Sequence, residues 1–142
     1  MKSFCCAGIS LLLACACTPL SEEPVFDSGD IENTAREFQV LAHTFNYEGL
    51  RDATTADFEF LIFGSRMNLD EFASMLQDMQ ASRDGEPLGI YEIFDFHTRI
   101  IGNVAYSTWK SDEWLEASIF VRDGDRWLVD QAFAIPIETA DE

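Results

Sequence analysis

The sequence predicts an α+β domain, a curved antiparallel sheet with its helices segregated to one face. Three observations lead there. After about residue 30, apolar residues recur at helical spacing. From Pro87 onward the chain is rich in β-branched and aromatic residues and is cut by short turns containing glycine. The helical and strand-like segments come in blocks rather than in alternation, the order expected of α+β rather than α/β proteins.

The elements follow in order. Asp30 stands where a helix cap is needed, ahead of a stripe at Ile31, Ala35, Phe38, Ala42 and Phe45, with Gly49 near its end. A short second helix is expected over Leu50 to Ala56, then a β-type run from Phe58 to Phe63 closed by Gly64. Asn68 followed by Glu71 resembles a capping box. The helix it starts places Phe72, Met75, Leu76 and Met79 at i, i+3, i+4 and i+7, and ends in Arg83-Asp84-Gly85-Glu86-Pro87. Ile90 to Ile101 reads as one long strand. Gly102-Asn103 turns it into Val104 to Trp109, and a charged turn at Ser111-Asp112-Glu113 leads to Trp114 to Val121. Asp123-Gly124 is the strongest hairpin signal, and Arg126 to Ile135 completes the meander.

The front of the chain has another character. Lys2 precedes a short apolar run with small residues at its exit, the pattern of a secretory signal. The run falls short of the 20 or so apolar residues that a membrane crossing needs. All four cysteines lie within it, at Cys5, Cys6, Cys15 and Cys17. Leu12-Leu13-Ala14-Cys15 resembles the bacterial lipobox, which implies cleavage and lipidation at Cys15, with Cys17 as the alternative register. Several acyl chains together anchor firmly where one does not. Neither cysteine is followed by Asp, so inner-membrane retention is not signalled. The expected division is a signal peptide and lipobox over 1–17, a flexible tether over 18–29, a domain over 30–137 and an acidic tail over 138–142. The expected location is the bacterial envelope, lipid-anchored and facing the periplasm, on the outer membrane. With no cysteine after position 17 the domain holds no disulfide, and about 110 residues must stand on their own core.

The formal charge is −17, from 26 acidic residues against 9 basic ones. No basic patch or basic helix exists, which excludes nucleic acid and anionic lipid surfaces as partners, so the membrane is reached only through the lipid anchor. The acids are dispersed rather than blocked, which fits solubility better than a binding device.

Three stretches, in order, resemble the nuclear transport factor 2-like (NTF2-like) superfamily, which includes SnoaL-like polyketide cyclases and ketosteroid isomerases. They are Thr55-Ala56-Asp57-Phe58-Glu59-Phe60 with the helix holding Glu71-Phe72, then Ile100-Ile101-Gly102-Asn103-Val104-Ala105-Tyr106, then Phe120-Val121-Arg122-Asp123-Gly124-Asp125-Arg126-Trp127-Leu128-Val129. The similarity runs from about Ile31 to Ile135. It implies a cone whose sheet curves around helices on its concave face, and sheets that pair as a homodimer. Function does not follow from such a fold.

A bent sheet under helices offers a pocket as the default site. Strand alternation from Ile90 to Ile101 places Tyr91, Ile93, Asp95, His97 and Arg99 on one face. If that face is concave, Asp95 and His97 form an acid/base pair in an apolar cone; if convex, they are a solvated ion pair. Tyr91, Tyr106 and Trp109 join them as pocket candidates. His43 reads as a hydrogen-bonded helix-surface histidine, and Asp57 as a turn or cap residue. Two functions stay open. One is a non-catalytic module binding a small apolar ligand or a protein partner. The other is a cofactor-free isomerase, cyclase or hydrolase acting on a hydrophobic carbonyl compound, with Asp95 and His97 as proton carriers. No cofactor is expected. Two histidines without ligand spacing give no zinc site, and the acidic runs lack the order of a calcium loop.

Overall fold

The computed structural model describes residues 27–111 and 113–137. The signal peptide and lipobox with Cys15 and Cys17, most of the tether and the acidic tail lie outside the described residues. Three helices and six strands are present among those described: α1 (Ser28–His43), α2 (Tyr47–Ala53), β1 (Thr54–Ile62), β2 (Ser65–Asn68), α3 (Leu69–Ser82), β3 (Phe94–Ile101), β4 (Val104–Lys110), β5 (Trp114–Asp123) and β6 (Arg126–Pro136).

Helix α1 starts three residues earlier than its apolar stripe suggests. Asp27, not Asp30, is the cap; its carboxylate accepts from the Gly29 and Asp30 amides, and the Asp30 side chain returns a bond to the Asp27 amide. The expected tether therefore gives way to helix at Ser28. Asn46 caps α2, which comes earlier than predicted because Asn46 Oδ1 takes the Gly49 amide at 3.0 Å. Where α2 meets α1, a Cβ at Gly49 would press on the Leu41 and Asn46 side chains, which would have to shift. Helix α3 has the predicted Asn68–Glu71 capping box.

The strands form one sheet in the order β2-β1-β6-β5-β4-β3. All adjacent pairs are antiparallel except β1 and β6, which run parallel. The sheet is therefore mixed, not purely antiparallel: α3 and the strands after it carry the chain around so that β6 returns beside β1 in the same direction. Strand β2 is the one element not foreseen. Phe63 and Gly64, both with positive φ, form the two-residue turn that folds it back on β1.

Helix α1 packs over β6 and β3, and α3 over β1 and β2, all on the inner face of the sheet. The side chains beneath them alternate inward: Phe58 on β1, Ala105, Ser107 and Trp109 on β4, Ser118 and Phe120 on β5, Val129 and Ala132 on β6. They join Ile31, Ala35, Phe38, Leu50, Phe72 and Leu76 of the helices in one core. Phe38, Phe58, Phe60 and Phe72 meet ring against ring at centroid distances from 4.5 to 6.2 Å. Removing such a side chain from water stabilises by about 1.5–3 kcal/mol. Register shifts in the β1–β6, β3–β4 and β5–β6 pairs help bend the sheet around this core.

Candidate functional site

A polar corner interrupts the apolar inner face near β3. Trp109 points inward from β4, and across the β4–β5 ladder its partner is Glu116. The Trp109 ring stacks on Phe96 at 5.5 Å. Trp109 Nε1 and Glu116 Oε1 are both buried without a hydrogen bond of good geometry. A buried donor and a buried acceptor left so are costly, about 1–3 kcal/mol each and more for a charge.

The corner is closed by the irregular stretch between α3 and β3, which α1 holds down. The Leu88 amide donates to the His43 carbonyl at 2.9 Å, and His43 Nδ1 lies 2.7 Å from the Gly89 carbonyl. Gln39, buried on α1, donates to the Tyr91 carbonyl at 3.4 Å, and Arg36 reaches the Ile93 carbonyl at 3.4 Å. These bonds bring Tyr91 edge-on to the His43 ring at 5.1 Å and set its hydroxyl beside Glu116.

The electrostatics follow from that placement. Burial raises the Glu116 carboxyl above its ordinary range, with the Tyr91 hydroxyl and the Trp109 indole N–H opposing. Burial and then the Glu116 charge raise the Tyr91 phenol strongly, and Glu113 adds to the effect. Burial lowers His43 despite its bond to Gly89, so the ring favours its neutral form. Tyr91 also lines an open recess of about 340 Å³ with Gly89, Ile90, Ser111 and Glu113. A second groove, of about 530 Å³, runs between α1, α2 and the β5–β6 turn, where Asp30, Glu37, Asp52 and Asp125 outnumber Arg126. Among the described residues no three His, Cys, Asp or Glu side chains gather as a metal site.

The structure divides the predicted site residues. Tyr91 and Trp109 face the inner side. Asp95, His97 and Tyr106 are exposed and lie outside the core. Asp95 pairs with Lys110 at 3.1 Å, both side chains about half exposed or more. The reason is a bulge: Phe94 pairs with Lys110 and His97 with Thr108, so β3 spends three steps where β4 spends two. Asp95 sits at the bulge with φ of 51°. The extra residue flips the alternation, leaving Tyr91 and Ile93 inward and turning His97 and Arg99 out. The acid/base pair in a cone is thus replaced by groups on the solvent side, and with it goes the expected proton-carrier set.

Glu116 and Gln39 were not singled out from the sequence. The signal for Glu116 was present: in Trp114-Leu115-Glu116-Ala117-Ser118-Ile119-Phe120, a period of two places the carboxylate on the face of Phe120. His43 is hydrogen-bonded as expected, yet it is half-buried against Tyr91 rather than on an open helix surface.

No protein-family model matches the sequence, and no curated protein matches it. Solved structures do. An NTF2-like protein from Cytophaga hutchinsonii superposes with a TM-score of 0.65 at 14% identity, covering 79% of this chain and 100% of that one. An NTF2-like protein with a cystatin-like fold from Novosphingobium aromaticivorans gives 0.64 at 14% identity, covering 80% and 84%. A protein of unknown function with a cystatin-like fold from Nostoc punctiforme gives 0.65 at 10% identity, covering 80% and 92%. At such identities the likeness establishes the fold. The chain has the NTF2-like α+β fold that its three sequence stretches resemble.

Proposed function

We propose that this protein is a lipid-anchored module of the bacterial envelope that holds a small, largely apolar molecule at the Tyr91–Trp109–Glu116 corner without transforming it. One observation carries the reading: Trp109 Nε1 and Glu116 Oε1 are buried and meet each other without a hydrogen bond of good geometry. Buried polar atoms are nearly always partnered, and a ligand group reaching in beside Tyr91 would satisfy both. The adjoining recess of about 340 Å³ lies at the small end of the range for ligand pockets. Catalysis is not part of the proposal, because the acid/base pair drawn from the sequence stands outside the core. The anchor rests on the Cys15 or Cys17 lipobox pattern.

The test is native mass spectrometry of the protein purified from its own host's envelope in mild detergent. A bound small molecule that is lost when Trp109 is replaced by Phe supports the corner as its site. Protein that is consistently empty, and unresponsive in thermal shift to a library of small apolar compounds, counts against it. Growth with labelled palmitate tests the anchor: label should vanish in the Cys15→Ala/Cys17→Ala double variant.

A second reading, pairing of two copies, is favoured by the outer face of the sheet. Ile101, Tyr106 and Ile135 are exposed there by 61%, 47% and 59%, beside Val104 and Leu115. A row of this kind is the mark of an interaction surface. Sedimentation equilibrium should show a dimer that Tyr106→Glu dissociates; a monomer at high micromolar concentration removes this reading.

A further inference from the structure

The chain from Leu88 to Ile93 lies extended along α1, and its main chain is fastened to that helix alone. The Leu88 amide donates to the His43 carbonyl at 2.9 Å, and His43 Nδ1 meets the Gly89 carbonyl at 2.7 Å. Gln39 Nε2 donates to the Tyr91 carbonyl and Arg36 Nη2 to the Ile93 carbonyl, each at 3.4 Å. Arg36, Gln39 and His43 stand at i, i+3 and i+7, so they form one row along the helix. The carbonyls they meet belong to every second residue, 93, 91 and 89. Among the described residues no backbone bond joins this segment to the sheet, since β3 begins its pairing with β4 at Phe94.

The ends of the segment are marked as well. Asp84 and Gly85 have φ of 53° and 82° before it, and Asp95 has φ of 51° after it. Ile93 is buried in the core, but from Glu86 to Glu92 only Leu88 and Tyr91 are even partly buried. Few apolar contacts and a main chain held by side chains are the features of a segment that opens locally. We infer that residues 86–92 form a strap that opens and closes on α1 as one unit, latched by Arg36, Gln39 and His43, while the rest of the domain stays folded. Gly89, Ile90 and Tyr91 of the strap wall the recess opposite Ser111 and Glu113, so the recess keeps its shape only while the strap is closed. The strap stands on its fastening; its use as a gate to the recess rests on the ligand-binding reading above.

Amide exchange, followed by nuclear magnetic resonance on the purified protein in urea below the unfolding transition, tests the strap. The Leu88 amide should exchange faster than the amides of β5 and β6, and its rate should not climb with urea as theirs does. Arg36→Met, Gln39→Met and His43→Phe each remove one latch and keep most of the side chain's volume. Each should speed Leu88 exchange by roughly threefold to tenfold and leave the β5 and β6 rates unchanged. Arg36 and Gln39 bond to Ile93 and Tyr91, not to Leu88, so their effect on the Leu88 amide reads a joint opening. Arg36 is exposed, which keeps that variant informative if Met at the buried Gln39 site unfolds the protein. An unchanged Leu88 rate in Arg36→Met and Gln39→Met means that the bonds break one by one, and overturns the strap. A Leu88 amide that exchanges at the rate and with the urea slope of β5 and β6 overturns it too. No ligand enters these measurements, so their outcome is separate from that of the binding reading.

Discussion

The inner face of the sheet is built in two opposed ways. On the α3 side, Phe38, Phe58, Phe60 and Phe72 interlock without a polar side chain among them. On the β3 side, the same helix α1 presents Gln39 and His43, and the same sheet presents Trp109 and Glu116. One region satisfies every atom it buries by apolar contact. The other buries polar atoms and leaves two of them, Trp109 Nε1 and Glu116 Oε1, without a hydrogen bond of good geometry. Stability is concentrated in the first, whereas the second gives up stability, and a protein tolerates that readily where something binds.

The largest expected effect lies in the aromatic region. Phe58 is 1% exposed and touches both Phe38 and Phe72. Phe58→Ala should cost about 3–5 kcal/mol in urea unfolding, since a cavity there is ringed by rigid side chains. A loss below about 1 kcal/mol would mean that this side is not the stable half.

The opposite sign is expected at the corner. Glu116→Gln keeps the shape and removes the buried charge, so it should stabilise the protein at pH 7 by on the order of 1 kcal/mol. The pH dependence follows from linkage. Glu116 has its folded pKa raised above the ordinary 4.5, so folding takes up a proton. Its contribution is full below pH 4.5 and is lost as pH rises through the raised value. His43 runs the other way: its folded pKa lies below the ordinary 6.5, so its contribution is full above pH 6.5 and is lost as pH falls through the lowered value. Glu116→Gln should flatten the loss on the alkaline side and keep the loss on the acid side. Unfolding free energies across pH 4 to 8 for the two proteins check this, and identical profiles would show that Glu116 carries no strain.

A smaller loss is expected in α3, which covers the aromatic region from outside. Asn68→Ala removes the bond that the Glu71 amide donates to Asn68 Oδ1 at 2.9 Å. The cost should be about 1 kcal/mol, with binding at the corner unchanged. A change in ligand affinity in this variant would show that the two regions are coupled rather than separate.

Most of this architecture was legible before the structure. The α3 capping box, the meander from β3 to β6 and the apolar stripe of α1 are local signals, written in spacing and turn residues. The parallel return of β6 beside β1 is not local, because nothing in either strand names its neighbour. The corner was only half legible. Trp109 and Tyr91 were drawn as pocket residues, but so were Asp95, His97 and Tyr106. A strand pattern gives faces only while its period of two holds, and one extra residue at Asp95 exchanges them. A bulge there has no strong sequence mark, since Asp is one of several residues that adopt positive φ. Glu116 went unread for a different reason: an acidic residue in a very acidic chain does not stand out unless its strand face is followed.

The bulge itself supplies the smallest and most discriminating prediction. Asp95 combines a backbone conformation that suits glycine with an exposed ion pair to Lys110. Glycine at that site relieves the first and deletes the second, and exposed pairs contribute little. Asp95→Gly should therefore change stability by less than about 0.5 kcal/mol, as should His97→Ala. Neither should alter ligand binding at the corner, because both side chains lie on the solvent side. The bulge, however, must persist in Asp95→Gly, since it depends on the residue count rather than on the carboxylate. Deleting residue 95 outright would restore a regular ladder with Phe94 still opposite Lys110 and His97 opposite Thr108, and so keep Tyr91 and Ile93 inward. That deletion should keep amide protection in 89–93, while one residue inserted between Ile93 and Phe94 should lose it. Equal protection in the two variants would mean that the register, and with it the separation of the two faces, is set elsewhere.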